Sequence, residues 1–242
     1  MYGTPVAPPT GFCGFQAITM HLSTNYYTLI GSLPTLPRSF DAADRMPISR
    51  LKLNERLKML EPHDAKVTDE MADFLVWERH PLERTDEEIV QHYQKFMSEV
   101  DNRLARELIR YFMSIRTVMA GLRCRRLQLE PPTGIPPLAG QIAKNWSHAD
   151  FRLGSEFPWI AEVDRLLRSD SPFDLERMRV EVTWKYLNRL AQDHFFSFEA
   201  VLLYLVRWEL LHRWTQRDTD LGQQKFEQLV DSAMGDFAHM FQ

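Results

Sequence analysis

The sequence predicts an all-α protein, a multi-helix bundle of two helical halves around one long central helix. Three observations predict this fold: apolar residues that recur every three or four positions, capping residues at the starts of those runs, and almost no alternating β pattern after residue 45. A chain of 242 residues buries about 70 to 75% of its unfolded surface on folding. We therefore expect a large apolar core that needs no disulfide or metal.

Two helix starts carry recognisable caps. Thr85 and Glu88 have the spacing of a capping box, in which each side chain accepts a hydrogen bond from the other residue's backbone amide. Ser171 stands before Pro172, the residue best tolerated at the first helical position. These caps predict helices that begin at residues 86 and 172.

The longest periodic run predicts the central helix, from Asn102 to about Leu127. The run from Phe198 to about Trp214 is apolar around most of its circumference, which predicts a helix buried on several sides. Four shorter helices are predicted near residues 48–60, 68–79, 158–168 and 220–238.

Proline and glycine divide the chain. We expect a disordered segment over residues 1–24, within which Met20 is a possible natural start, and a helical half over 25–129. A proline-rich connection over 130–138 then leads into a second helical half over 139–242, because proline removes amide donors. Residues 26–30 are aromatic and β-branched, and they leave a short N-terminal strand and a helix equally open.

Composition narrows the function classes. The net charge of −4 argues against general nucleic-acid binding, which needs an excess of cations. Cys13 and Cys124 show no CxxC spacing, and the first residues show no export signal, so we expect a cytoplasmic protein. The apolar stretch 200–206 is far shorter than the roughly 20 residues of a membrane span.

Motifs for chemistry are scarce. The sequence contains no GxxxxGK[ST], no GxGxxG after a strand and no nucleophile elbow, so we expect no catalytic residue, no cofactor and no metal. His148, Asp150 and His194 could exchange protons or bind a ligand in a small-molecule enzyme with a helical core. A structural role in loops and helix ends is the favoured interpretation of all three.

A stripe of arginines follows the predicted central helix. When the helix is turned through about 100° per residue, four arginines project from one side, opposite the apolar residues. Two interpretations stay open: a solvated helix face, or docking onto an acidic partner or anionic lipid headgroups. The four residues are Arg103, Arg106, Arg110 and Arg125.

Five of the six tryptophans fall in the C-terminal half. Aromatic side chains supply large contact areas in cores and in interfaces, so most are expected in the core and one or two at a partner surface. Trp208 and Trp214 are the candidates for partner binding.

Four parts of the sequence carry a family resemblance: 25–34, 145–151 with 157–159, 175–177 with Trp184, and 196–204. Together they resemble a bacterial protein family that is encoded among the subunits of V-type (V/A-type) ATPases. The resemblance covers roughly residues 25 to 235, and it implies a non-catalytic protein like the C subunit, the all-helical socket that seats the rotary shaft on the membrane ring. The implied partners are the central-stalk subunits and the ring, on the inner face of the membrane; a soluble assembly or regulatory factor is the alternative.

Overall fold

The computed structural model describes residues 24–42, 45–75, 84–169 and 171–217, and within these ranges the fold is all-α with no strand. A short 3-10 turn covers Phe40–Ala42. The helices in chain order are α1 (Thr24–Ser32), α2 (Arg50–Leu57), α3 (Pro62–Leu75), α4 (Asp86–Glu99), α5 (Arg103–Arg126), α6 (Leu138–Lys144), α7 (Ile160–Arg168), α8 (Pro172–Ala191) and α9 (198–217).

Of the two predicted caps, only that of α4 forms. Helix α8 begins at Pro172 as predicted, but the Ser171 hydroxyl caps no amide and instead donates to the Asp174 carboxylate over 2.5 Å. The capping box of α4 is confirmed, since the Glu88 amide donates to the Thr85 hydroxyl over 3.2 Å and the Thr85 amide donates to the Glu88 carboxylate over 2.9 Å. At the start of α5, Asn102 accepts from the Ala105 amide over 2.9 Å. Its role as N-cap fixes the first turn of the long helix.

Of the two alternatives left open for residues 26–30, the structure shows the helix, because these residues lie in α1 and form no N-terminal strand. Tyr26 and Leu29, three positions apart, are 5% and 0% exposed, whereas Tyr27 is 50% exposed. Burial at a spacing of three follows one helical face and outweighs the β propensity of the aromatic run.

Two other helices differ from the prediction, one in where it begins and one in being present at all. The third helix begins at Pro62, several residues before the predicted start, because proline suits the first helical turn. Helix α6 was not predicted at all. The predicted helix 220–238, the end of the predicted helix 68–79, and all but residue 24 of the N-terminal segment lie outside the described residues.

Helix α5 forms the axis of the main core. Leu108, Ile109, Val118 and Leu122 are completely buried along its length. The same core contains buried residues from both sides of the 130–138 connection, so the two predicted halves share one apolar interior. Full burial of such side chains stabilises by about 1.5–3 kcal/mol each, which holds α5 firmly in place.

Candidate docking surface

Three of the four predicted arginines form an open stripe on the N-terminal half of α5. Arg103 and Arg110 are exposed and Arg106 is half-buried. None of these three side chains forms a hydrogen bond or an ion pair with any residue in the described part of the chain. Their charges therefore face solvent without compensation.

A pair of tyrosines lies beside this stripe, between α5 and α8. The rings of Tyr111 and Tyr186 stack at 3.8 Å with an angle of 12°. The Tyr186 hydroxyl donates to Glu107 Oε1 over 3.0 Å, and burial together with that carboxylate raises the pKa of Tyr186. The hydroxyl therefore stays protonated, and Glu107 is held by this hydrogen bond.

A further exposed arginine, Arg189 of α8, lies beside the tyrosine pair. Tyr111 meets Tyr186, and Met119 lines the same small crevice as Met178, so the two helices run antiparallel. This register places Arg189 level with residue 108 of α5. Its guanidinium lies 5.5 Å from the centre of the Tyr186 ring.

Exposed aromatic side chains lie at the same end of the bundle as the start of α5. Tyr27 and Phe196 are each 50% exposed and stack at 4.7 Å, and the neighbouring Phe195 is 69% exposed. The side-chain amide of Asn102, the N-cap of α5, donates to Glu199 Oε1 over 2.8 Å and so ties this end of α9 to the stripe.

We define the docking surface as the arginine stripe together with Arg189 and this aromatic end. Arginine and aromatic side chains are enriched at protein interfaces, where aromatic rings act as apolar anchors and charges as steering groups. A surface that combines largely exposed aromatic rings with arginines that form no ion pair is typical of a partner-binding surface. The docking surface comprises Arg103, Arg106, Arg110, Arg189, Tyr27, Phe195 and Phe196.

The fourth predicted arginine, Arg125, lies outside the docking surface and is part of the folded structure. Its guanidinium donates to the backbone carbonyls of His148 and Ala149, each over 2.7 Å, and lies 3.6 Å from the Asp164 carboxylate. It also lies 4.4 Å from the centre of the Phe151 ring. Arg125 therefore fastens the loop before α7 to the end of α5.

Neither predicted tryptophan anchor is freely exposed. Trp208 is 1% exposed and its Nε1 donates to the Ile48 carbonyl over 3.0 Å, so it belongs to the core. Trp214 is half-buried and meets Phe40 edge-on at 5.0 Å. Its remaining accessible side lines a groove between α8 and α9.

The three residues considered for chemistry do not meet in one site. Asp150 accepts hydrogen bonds from the amides of Arg152 and Gly154, over 2.9 and 3.2 Å, which is the role of a turn residue. His148 is exposed, and its Nε2 accepts from the Arg152 guanidinium over 3.0 Å. His194 lies near Glu199 at the opposite end of α5, and a helix of 24 residues spans about 36 Å.

Sequence reasoning missed four members of the docking surface. Arg189 lies on another helix, and only the antiparallel register brings it level with the stripe. The consecutive phenylalanines at 195 and 196 follow the end of α8 and gave a signal, because two large apolar residues in a loop rarely both find room in a core. Tyr27 became visible as a surface residue only once residues 26–30 proved helical.

The described residues contain neither a candidate membrane span nor a metal-binding cluster. No helix among them has the length and apolar character to cross a membrane. In the same residues, no group of three or more histidine, cysteine, aspartate or glutamate side chains is arranged to hold a metal ion.

Comparison with known proteins gives one assignment. Residues 42–236 match a family model described as protein of unknown function (DUF2764). Neither the curated proteins nor the solved structures gave a match. Because the family model covers well over half of the 242 residues, the chain belongs to the DUF2764 family.

Proposed function

We propose that the chain is a non-catalytic structural subunit of a bacterial V-type ATPase, similar in role to the C subunit of such enzymes, and that its docking surface binds a neighbouring component. The observation that carries partner binding is the row of uncompensated arginines beside exposed aromatic rings. The sequence resemblance supports the assignment of the chain to a V-type ATPase complex. In this role the protein couples the rotary shaft to the ion-translocating ring.

The position of the arginines on α5 supports a binding role. Arg103 and Arg106 stand in the first turn, which contains no acidic residue. The N-terminus of a helix carries a partial positive charge, so cations there reduce helix stability by about 0.3–1 kcal/mol each. Residues that cost stability where they stand, and whose side chains form no hydrogen bond or ion pair in the described fold, are typical of functional surfaces.

The partner's chemistry follows from the surface. An acidic face on the partner would pair with the arginines, and an apolar pocket would receive the aromatic end. A stable interface of this kind buries more than about 1,000 Å² in total. The stripe is rigidly mounted because α5 is buried in the core, as a load-transmitting contact requires.

The test is capture by the tagged full-length chain from cells that contain the ATPase genes. We expect recovery of the A, B and D subunits in fixed proportion to the tagged chain. Recovery should fall steeply between low salt and about 0.5 M salt, because the Debye length shrinks well below 10 Å. Replacing both exposed phenylalanines, Phe195→Ser and Phe196→Ser, should abolish recovery.

Other outcomes would decide against the proposal. If none of the ATPase subunits is recovered at low salt, the proposed role is wrong. Recovery from partly assembled complexes alone, with the chain absent from the finished ATPase, would identify an assembly factor instead of a structural component.

A further inference from the structure

A groove runs between α5, α8 and α9, on a face of α5 turned by roughly 120° from the arginine stripe. It has two adjoining parts with volumes of about 450 and about 640 Å³. Both parts share Phe112, Glu176, Arg179 and Arg217 in their walls. The combined space is large enough for an organic molecule of several hundred daltons.

The walls of this groove are cationic although the whole chain is acidic. Five arginines and three acidic residues line the two parts, an excess of two positive charges in a chain of net charge −4. A concave wall with an excess of one sign attracts ions of the other sign. The charged residues are Arg116, Arg123, Arg179, Arg213, Arg217, Asp86, Glu176 and Glu209.

Glu176 holds two of these arginines in position at the middle of the groove. Arg179 donates to both of its carboxylate oxygens, over 3.0 and 2.5 Å, and Arg217 lies 2.6 Å from Oε1. Burial alone would raise the pKa of Glu176, but the two guanidiniums outweigh it and lower the pKa. One carboxylate thus orients two cations, which leaves a positive charge in fixed geometry.

Further features fit an anion that carries an apolar body. Arg123 is exposed on the facing helix, and its side chain has no hydrogen bond or ion pair within the described residues. Pro172, the first residue of the 20-residue helix α8, stands at the rim. Ile115, Met119 and Leu175 supply an apolar floor.

We propose that the groove binds a small organic phosphate, with the phosphate groups on Arg123, Arg179 and Arg217 and the apolar body on the floor. Arginine forks match phosphate oxygens in pairs, which makes these contacts strong. The sequence motifs gave no indication of such a site, since it is assembled from three helices far apart in the chain. This inference is independent of the proposed ATPase role.

Isothermal titration calorimetry on the full chain, without divalent metal, tests the inference. The probes are ATP, which has an aromatic body, pyrophosphate, which has none, and citrate, which carries its charge as carboxylates. We expect ATP to bind in the micromolar to low millimolar range and about tenfold or more tightly than pyrophosphate or citrate. Arg123→Gln with Arg217→Gln should weaken ATP binding about tenfold or more.

The control variant Arg103→Gln with Arg110→Gln removes the same charge from a different face of α5, outside the groove. It should leave ATP affinity within about twofold. Arg123→Glu serves as a second groove variant, because this exposed side chain has no partner in the described structure whose loss could unfold the protein. Its ATP affinity should fall by more than tenfold.

Three results would overturn the inference. The first is the absence of saturable ATP binding up to about 10 mM. The second is an equal loss of affinity in the groove and stripe variants, which would indicate general charge attraction. The third is equal binding of ATP and pyrophosphate, which would remove the role of the apolar floor.

Discussion

The two ends of α5 carry the same residue type on the same side, and the fold treats them oppositely. The side chains of Arg103, Arg106 and Arg110 follow the first half of the helix with no hydrogen bond or ion pair in the described structure. Arg125, near the other end, points within about 100° of them but donates to two carbonyls and covers a buried ring. One periodic pattern of arginines therefore includes three side chains that are available to a partner and one, Arg125, that holds the fold together.

The two ends of α5 differ because a loop later in the chain covers only the C-terminal end. The backbone of residues 145–157 folds over the end of α5 and brings carbonyl oxygens to Arg125. Phe151 is completely buried beneath the guanidinium although its φ is +55°. No comparable loop covers the first half of α5 among the described residues, so the arginines there remain available for a partner.

The largest effect should come from Arg125→Ala. Two charged hydrogen bonds and a ring contact are lost, and two carbonyls lose their donor, so the free energy of unfolding should fall by about 2–4 kcal/mol. Arg103→Ala, the matched change at the other end, should stay within about 0.5 kcal/mol. Urea denaturation of both variants checks this, and equal stabilities would remove the distinction between the two ends.

A second test concerns the connection that packs against the middle of α5. Gly134 lies so close to α5 that a Cβ on it would collide with the side chain of Thr117, which is 3% exposed and cannot move aside. Gly134→Ala should therefore lower the free energy of unfolding by about 1–3 kcal/mol.

Its control is Gly140→Ala, within α6, where a Cβ would meet no atom within 4 Å. That change should be neutral or stabilise by up to about 1 kcal/mol, because alanine favours helix. Thermal denaturation compares the two variants. A stable Gly134→Ala protein would show that the connection does not press against α5 as described.

The tyrosine pair beside the stripe predicts an alkaline loss of stability. Burial raises the pKa of Tyr111 to about 12, above the unfolded value of 10.0. A group whose folded pKa is raised stabilises the fold below its unfolded pKa, and that stability is lost as pH rises from about 10 through 12.

Tyr111→Phe should therefore reduce the alkaline decline by about 1 kcal/mol at pH 11, measured by urea denaturation at pH 8 and pH 11. The control is Tyr27→Phe at the exposed aromatic end, which should leave the decline unchanged. Identical pH dependence in both variants would contradict the buried placement of Tyr111.

Much of the helical framework was predictable because its signals are local. The capping box at Thr85, the proline at 172 and the apolar period of α5 each act within a turn or two of the chain. The sequence left residues 26–30 open between strand and helix because their β propensity and their helical spacing disagree. Packing of Tyr26 and Leu29 into the core favours the helix.

The docking surface was only half predictable for a physical reason. Helical periodicity places four arginines on one side of α5. It gives no information about the carbonyls of His148 and Ala149, which accept hydrogen bonds from Arg125 and so keep it out of the docking surface. Likewise, Arg189 joins the docking surface through the stacked tyrosines, a contact between residues 75 positions apart in the chain. Such long-range contacts leave no local signature in the sequence.

The central claim is that the stripe arginines serve a partner and not the fold. The most direct measurement compares the unfolding free energy and the capture of ATPase subunits for one variant, Arg103→Glu with Arg106→Glu and Arg110→Glu. Its control carries the same type of charge reversal at dispersed exposed positions, Lys52→Glu with Lys95→Glu and Lys144→Glu.

We expect the stripe variant to be as stable as the wild type, or more stable by up to about 1 kcal/mol, because glutamates suit the first turn of α5. Capture of ATPase subunits should fall at least tenfold in the stripe variant and stay within about twofold in the control. Unchanged capture by a folded stripe variant would contradict the account, as would a loss of stability by several kcal/mol.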